Sequence, residues 1–230
     1  MSESKAAVYR SMVASRKACT LCAGVGLTNP AAPGLAYLDA DEIGPWTRWQ
    51  SDLDAAVLVV GQDWGDVASF QRQGGVDADS PTNRMLRELL AHAGVSISPP
   101  PGAGQKVGVF LTNAVLCLKQ GGAQAPVRDE WFANCGRAFL RSQIELVHPK
   151  VVVTLGERAY RTVASAFAFV PQVFRTAVES SALVRLVPET VLVPVYHCGQ
   201  RILNTHRKRD AQFRDWERVK AILGPVAPAV

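Results

Sequence analysis

No run in this chain approaches the roughly 18 consecutive apolar residues that a membrane-spanning helix needs, although 48% of its 230 residues are hydrophobic. No membrane partner is therefore expected. The first residues, MSESKAAVYRSMVASRKAC, lack the apolar core of a secretory signal, and the expected compartment is cytoplasmic. No G-x-x-x-x-G-K-[ST] or G-x-G-x-x-G signature follows any strand-like segment, which disfavours a nucleotide-binding α/β protein with a structural zinc. Internal repeats and low-complexity segments are absent. Cysteine is scarce, with five in all, and a disulfide framework is not expected in a cytoplasmic chain. The length supports one sizeable core but not two. We expect a single domain over residues 1–230, with residues 1–15 and 225–230 as less ordered tails, acting as a monomer. A net charge of +5 permits a polyanionic partner without requiring one.

What is present is organised around Ala55 to Asp66, AAVLVVGQDWGD. Its apolar run is continuous and rich in β-branched residues, as in a strand buried on both faces of a parallel sheet. Gly61 breaks the run, and Gln62, Asp63 and Asp66 follow at the carboxyl end, where open α/β sheets bind ligands. An ordinary turn with a solvated Asp reads equally well from this stretch alone. Val107–Leu111, Val151–Leu155 and Val191–Tyr196 are further strand candidates, and Pro194 favours an edge position or a bulge for the last. Helical spacing is expected after Pro81-Thr82-Asn83 through Ala93, from Trp131 to Val147, from Tyr160 to Phe167 and from about Asp210 to Leu223. A helix is also expected before Cys19. Val67–Ser80 and Ser98–Gln105 read as loops, the former long enough to be functional. The alternation of strands and helices implies an α/β fold, three-layer αβα, with a mostly parallel four-stranded central sheet. Such a sheet brings Asp63, Asn113 and His197, each at or just past a strand end, to one rim.

Cys19 and Cys22 form a C-x2-C pair, with Cys117 and Cys135 far along the chain. Nothing before Cys19 resembles the strand of a thioredoxin-type motif. The pair points to metal or redox chemistry, and two further thiolates would complete a site for zinc or an iron–sulfur cluster. Cys117 and Cys135 are alternatively small buried hydrophobes.

Three motifs in order, interleaved with these cysteines, make the chain resemble the uracil-DNA glycosylase superfamily, most closely its iron–sulfur branch, family four. They are GQDWG at Gly61–Gly65, FLTNAVLC at Phe110–Cys117 and YHCG at Tyr196–Gly199. The resemblance runs from about Cys19 to the final helix. It implies a monofunctional DNA glycosylase of base excision repair, acting on uracil or a related deaminated base flipped out of DNA. It also implies a structural [4Fe–4S] cluster on Cys19, Cys22, Cys117 and Cys135, with zinc as the alternative. Asp63 would steady the sugar cation and orient water, and His197 would donate to the charge growing on the base. Asn113, with Gln62 and Gly65 beside it, would read the base edge, and Phe70 is the candidate stacking aromatic.

The chain departs from the family pattern at several points. Trp64 stands in place of a proline, Cys198-Gly199 in place of Pro-Ser, and Gly65 where the first family has a tyrosine that blocks the thymine methyl. These changes keep open a catalytically impaired DNA-damage-binding protein on the same fold. RILNTHRKR at Arg201–Arg209 follows His197. In the family this loop presses on the minor groove, so Arg201, Ile202 and Leu203 would wedge while Arg207 and Lys208 met phosphates. A solvated basic lead-in to the last helix is the alternative.

Overall fold

The computed structural model describes residues 4–35, 41–44, 52–73, 79–95, 97, 108–122 and 125–224. The loop expected over Ser98–Gln105 and the tail at 225–230 lie outside them. Helix α1, Lys5–Lys17, starts where Ser4 Oγ accepts the Ala7 N–H at 3.3 Å, and it buries Tyr9 and Val13. Tyr9 and Val13 join the core, while the rest of residues 5–15 is exposed or partly so. The short strand β1, Leu27–Thr28, follows the C-x2-C turn.

Strand β2, Val57–Gly61, is buried along its whole length, as its continuous apolar run predicts. The loop expected at Val67–Ser80 is instead partly helical. Asp66 Oδ1 accepts the Ser69 N–H at 3.0 Å and starts α2, Val67–Gln73. Helix α3 spans Pro81–His92. Its cap is Ser80, whose Oγ accepts the Asn83 N–H at 3.1 Å, and Pro81 occupies the first turn where no N–H is needed. Strands β3, Val109–Asn113, and β4, Leu118–Lys119, come next.

The helix expected from Trp131 to Val147 is one rod in three parts: α4, Asp129–Cys135, a π-helical turn over Gly136–Leu140, and α5, Arg141–Val147. The widened turn and the missing side chain of Gly136 go together. A Cβ there would meet Thr162 Cγ2 at 2.9 Å, so the rod lies close against a neighbouring helix. That neighbour is α6, Glu157–Ala166, which follows β5, Val151–Leu155. Helix α7, Phe174–Glu179, and strands β6, Val184–Val187, and β7, Thr190–Val195, then lead to α8, Gln200–Thr205, and α9, Arg209–Leu223.

The main sheet has the order β3-β2-β5-β7-β6. Strands β3, β2, β5 and β7 run parallel, as expected, and β6 adds a fifth, antiparallel strand. Its residues are only half-buried, so it carries neither a continuous nor a cleanly alternating apolar pattern. β6 pairs with β7 only over Thr190–Leu192, which leaves Pro194 on a locally free edge. Arg218 Nη2 donates to the Pro194 carbonyl there at 3.0 Å.

Side-chain alternation along the strands divides the core into two layers. Leu58, Val60, Phe110 and Val152 face α1, α4, α5 and α6. Val57, Val59, Val151 and Val153 face α3 and α9. This is the three-layer arrangement, and among the described residues no helix is long and apolar enough to cross a membrane. Leu89 of α3, 0% exposed, packs within the second layer. Leu89→Ala should lower unfolding free energy by about 2–5 kcal/mol, read from the midpoint of a urea titration.

Candidate active site

The chain steps from β2 to β3 on one side, then crosses to β5 on the other. The carboxyl ends of β2 and β5 therefore flank a topological switch point, where parallel sheets leave a crevice. A cavity of about 750 Å³ opens there. Gln62, Asp63, Trp64, Asn113, His197 and Ile202 all line it, so the three motif residues expected at one rim do meet.

Asn113 closes β3 directly opposite Gly61 of β2. A Cβ on Gly61 would lie 2.0 Å from Asn113 Oδ1, so this glycine is required for the amide to lie across the strand end. Asp63 is held by its own loop. Its Oδ1 accepts the Gly65 N–H at 2.8 Å, and its Oδ2 accepts from Gln62 Nε2 at 2.7 Å. Lys119 Nζ stands 3.5 Å from the same Oδ2, and both side chains are more than nine-tenths buried. Composition and spacing gave Lys119 no role; its signal is only that it follows the TN motif closely in sequence.

His197 lies just past β7. Its Nδ1 accepts the Gly199 N–H at 2.9 Å, which in the neutral ring leaves Nε2 as the donor. Gln212 Nε2 donates to its carbonyl at 3.1 Å, and Cys198 Sγ donates to the Thr82 carbonyl at 3.6 Å. The N–H that sets the imidazole belongs to the backbone at 199 and would be there with serine too, so what the glycine supplies is room beside the ring. A Cβ on Gly199 would sit 2.9 Å from Nδ1. Burial pushes the imidazole below its ordinary value, and the Asp63 charge opposes that shift.

The remaining sequence-chosen residues divide. Phe70 is 4% exposed and packs with Trp64 and Leu118 rather than lining the cavity, so the aromatic ring at the wall is Trp64. Gly65 (φ +83) faces open space and does not line the cavity. Ile202 of α8 reaches the cavity, Arg201 is exposed, and Leu203 packs on the α3–α9 layer. Lys208 is exposed at the start of α9. Arg207 is not free to meet a phosphate. Its Nε and Nη2 donate to the two carboxylate oxygens of Asp215 at 3.0 and 2.5 Å, and its guanidinium lies 5.5 Å from the centre of the Tyr196 ring.

A second cavity of about 410 Å³ is lined by Cys19, Cys22, Cys117 and Cys135, all free thiols. Asn29 Nδ2 donates to the carbonyls of Arg16, Lys17 and Cys19 at 3.0 to 3.1 Å and holds the turn that carries the first pair. Asn134 Nδ2 lies 3.4 Å from Cys22 Sγ as donor. Burial, followed by the other three sulfurs, pushes Cys117 up to about 12. Burial pushes Cys135 up to about 11 against an opposing backbone hydrogen bond at Leu116. Among the described residues no three His, Cys, Asp or Glu side chains form a group that could share one metal ion. A single zinc needs thiolates at about 2.3 Å from one point. Four thiols around one cavity form a soft donor set of the kind that holds zinc or an iron–sulfur cluster.

The fold and this site define an α/β protein in which a carboxylate, a side-chain amide and a neutral imidazole converge at a sheet's switch point. The chain belongs to the uracil-DNA glycosylase superfamily: the model of that family, described as Uracil DNA glycosylase superfamily, matches residues 49–219. The match spans Asp63, Asn113, Cys117, Cys135 and His197 and begins after Cys19 and Cys22. The chain is also 28% identical over 170 residues to a Type-5 uracil-DNA glycosylase of Pyrobaculum aerophilum, an alignment covering 72% of this chain and 69% of that protein. The relative thus carries a type-5 name, not that of family four.

The depressed imidazole gives a pH signature. Below the ordinary His value of about 6.5 the unfolded chain binds a proton that the folded chain resists, so stability present above that pH is lost as pH falls. Urea midpoints measured from about pH 7 down to about pH 5 should decline more steeply for the wild type than for His197→Gln. Equal slopes would mean that the ring is ordinarily solvated.

Proposed function

We propose that the protein is a monofunctional DNA glycosylase that hydrolyses the N-glycosidic bond of uracil or a related deaminated base, acting on DNA as a cytoplasmic monomer. The observation that carries this reading is the meeting of Asp63, Asn113 and His197 on one cavity. A base inside duplex DNA presents neither its edge nor its glycosidic bond, so the nucleotide must turn out of the stack to enter. The Asn113 amide offers one donor and one acceptor, matching O4 and N3–H of uracil. Cytosine reverses that pair, and an unpaired buried amide costs about 1–3 kcal/mol.

As the C1′–N1 bond breaks, its electron pair leaves with the base and positive charge develops on the sugar. The Nε2–H of neutral His197 donates to O2, where negative charge accumulates. The Asp63 carboxylate faces the sugar cation and takes the proton of the water whose oxygen bonds to C1′. The abasic sugar and the base anion result, and the proton held on Asp63 passes through solvent to the anion, which restores the carboxylate. Arg201, Ile202 and Lys208 carry the DNA contact in this reading, and Arg207 supports them through Asp215. Release of base from oligonucleotides carrying uracil, hypoxanthine, xanthine or a T·G mismatch, scored by alkaline cleavage of the abasic site, tests the function directly. Asp63→Asn and His197→Ala should each slow single-turnover release by on the order of 10²-fold or more with little loss of DNA affinity, because both act on charge that exists only in the transition state. Rates within a few-fold of wild type would remove both residues from the mechanism.

The same proposal places a [4Fe–4S] cluster on Cys19, Cys22, Cys117 and Cys135. When bound, the cluster supplies a fixed cross-link between the end of α1, the segment after β3 and the end of α4, and no redox step. The raised thiols must lose their protons to bind it, so loading should be favoured by alkaline conditions. Anaerobically purified protein should be brown and hold about four irons per chain. Colourless protein with one zinc per chain would overturn the assignment.

A further inference from the structure

Lysine is almost never buried without a partner. Lys119, at the end of β4, is 6% exposed. Its Nζ lies 3.5 Å from Asp63 Oδ2, and the two side chains are 7% and 8% exposed. Removed from bulk water, such charges attract each other far more strongly than a surface pair, and deleting either leaves the other stranded. The lysine backbone grips the same loop. Its N–H donates to the Gly65 carbonyl at 2.8 Å, it forms a parallel bridge with Asp66, and it pairs with Leu27 across β1. The lysine backbone is therefore fixed from two directions, its ammonium stands beside Asp63, and Lys119 is not part of the wall of the substrate cavity.

We propose that Lys119 is a positioning residue for Asp63, holding the carboxylate in place from outside the substrate cavity. The proposal rests on the glycosylase reading of that cavity. Gln62 and Gly65 each donate one hydrogen bond to the carboxylate. Those neutral donors fix its direction, and Lys119 supplies a balancing charge. A carboxylate anchored in this way keeps its place while a cation forms at C1′ and a water is aligned.

The test uses the full chain as Lys119→Met, Lys119→Arg, Asp63→Asn and the double variant Asp63→Asn/Lys119→Met. Single-turnover release of uracil and DNA affinity are measured side by side. Lys119→Met should slow release by on the order of 10²-fold, as a misplacement of about 1 Å does, with affinity held within about threefold. Lys119→Arg should recover most of the rate, which a loss of packing alone would not allow. Denaturant unfolding gives a readout independent of activity: each single change should destabilise, and the double change should cost less than their sum. A wild-type rate in Lys119→Met, or additive unfolding effects, would overturn the proposal. If Lys119→Met fails to fold, Lys119→Arg and the double variant, which removes both charges, still decide it. Should the wild type release no base from any substrate, the glycosylase reading fails, and the unfolding cycle alone judges the Asp63–Lys119 pair.

Discussion

Strand β2, with β3 on one side and β5 on the other, is the constraint on which the rest of the structure depends. Val57, Leu58, Val59 and Val60 are all 0% exposed, so both faces of the strand are spent on packing and its register cannot slip without exposing them. That register sets Gly61 beside Asn113 and Val60 beside Thr154. The ends of three strands are thereby level, and the cavity forms where they stop. The 2.0 Å separation that a Cβ on Gly61 would impose on Asn113 Oδ1 shows how closely the Asn113 amide depends on this pairing.

The two cavities are linked by one short segment. Beyond β3 the chain passes Cys117, then Leu118, which packs against Trp64 and Phe70, then Lys119, which meets Asp63. The sulfur-lined cavity and the carboxylate thus share a stretch of backbone clamped to β1 and to the Gly65 carbonyl. Whatever fixes the cysteines therefore also fixes the backbone that carries the side chain behind Asp63. His197 sits at the far side of the same rim, and its neutral state follows from burial together with an acceptor role at Nδ1.

The sequence by itself determined the central strands, since unbroken β-branched runs admit few other structures, and most of the helices, through apolar spacing. It also placed Asp63, Asn113 and His197 at or just past strand ends, and a parallel sheet gathers such ends on one side. The four cysteines were legible as a set through order and spacing. Tertiary structure alone decided which residues have partners. β6 escaped because a half-buried strand carries little pattern, and α2 escaped because one hydrogen bond from the Ser69 N–H to the Asp66 side chain starts it within a polar stretch. Phe70, the expected stacking aromatic, packs inside, and Trp64 beside it reaches the cavity wall, because burial depends on what packs opposite. In the sequence Arg207 and Lys119 are two basic residues among many. Folding gives the first to Asp215 and the second to Asp63, because the energy of a charge depends on the distance to its counter-charge and on the water removed from between them.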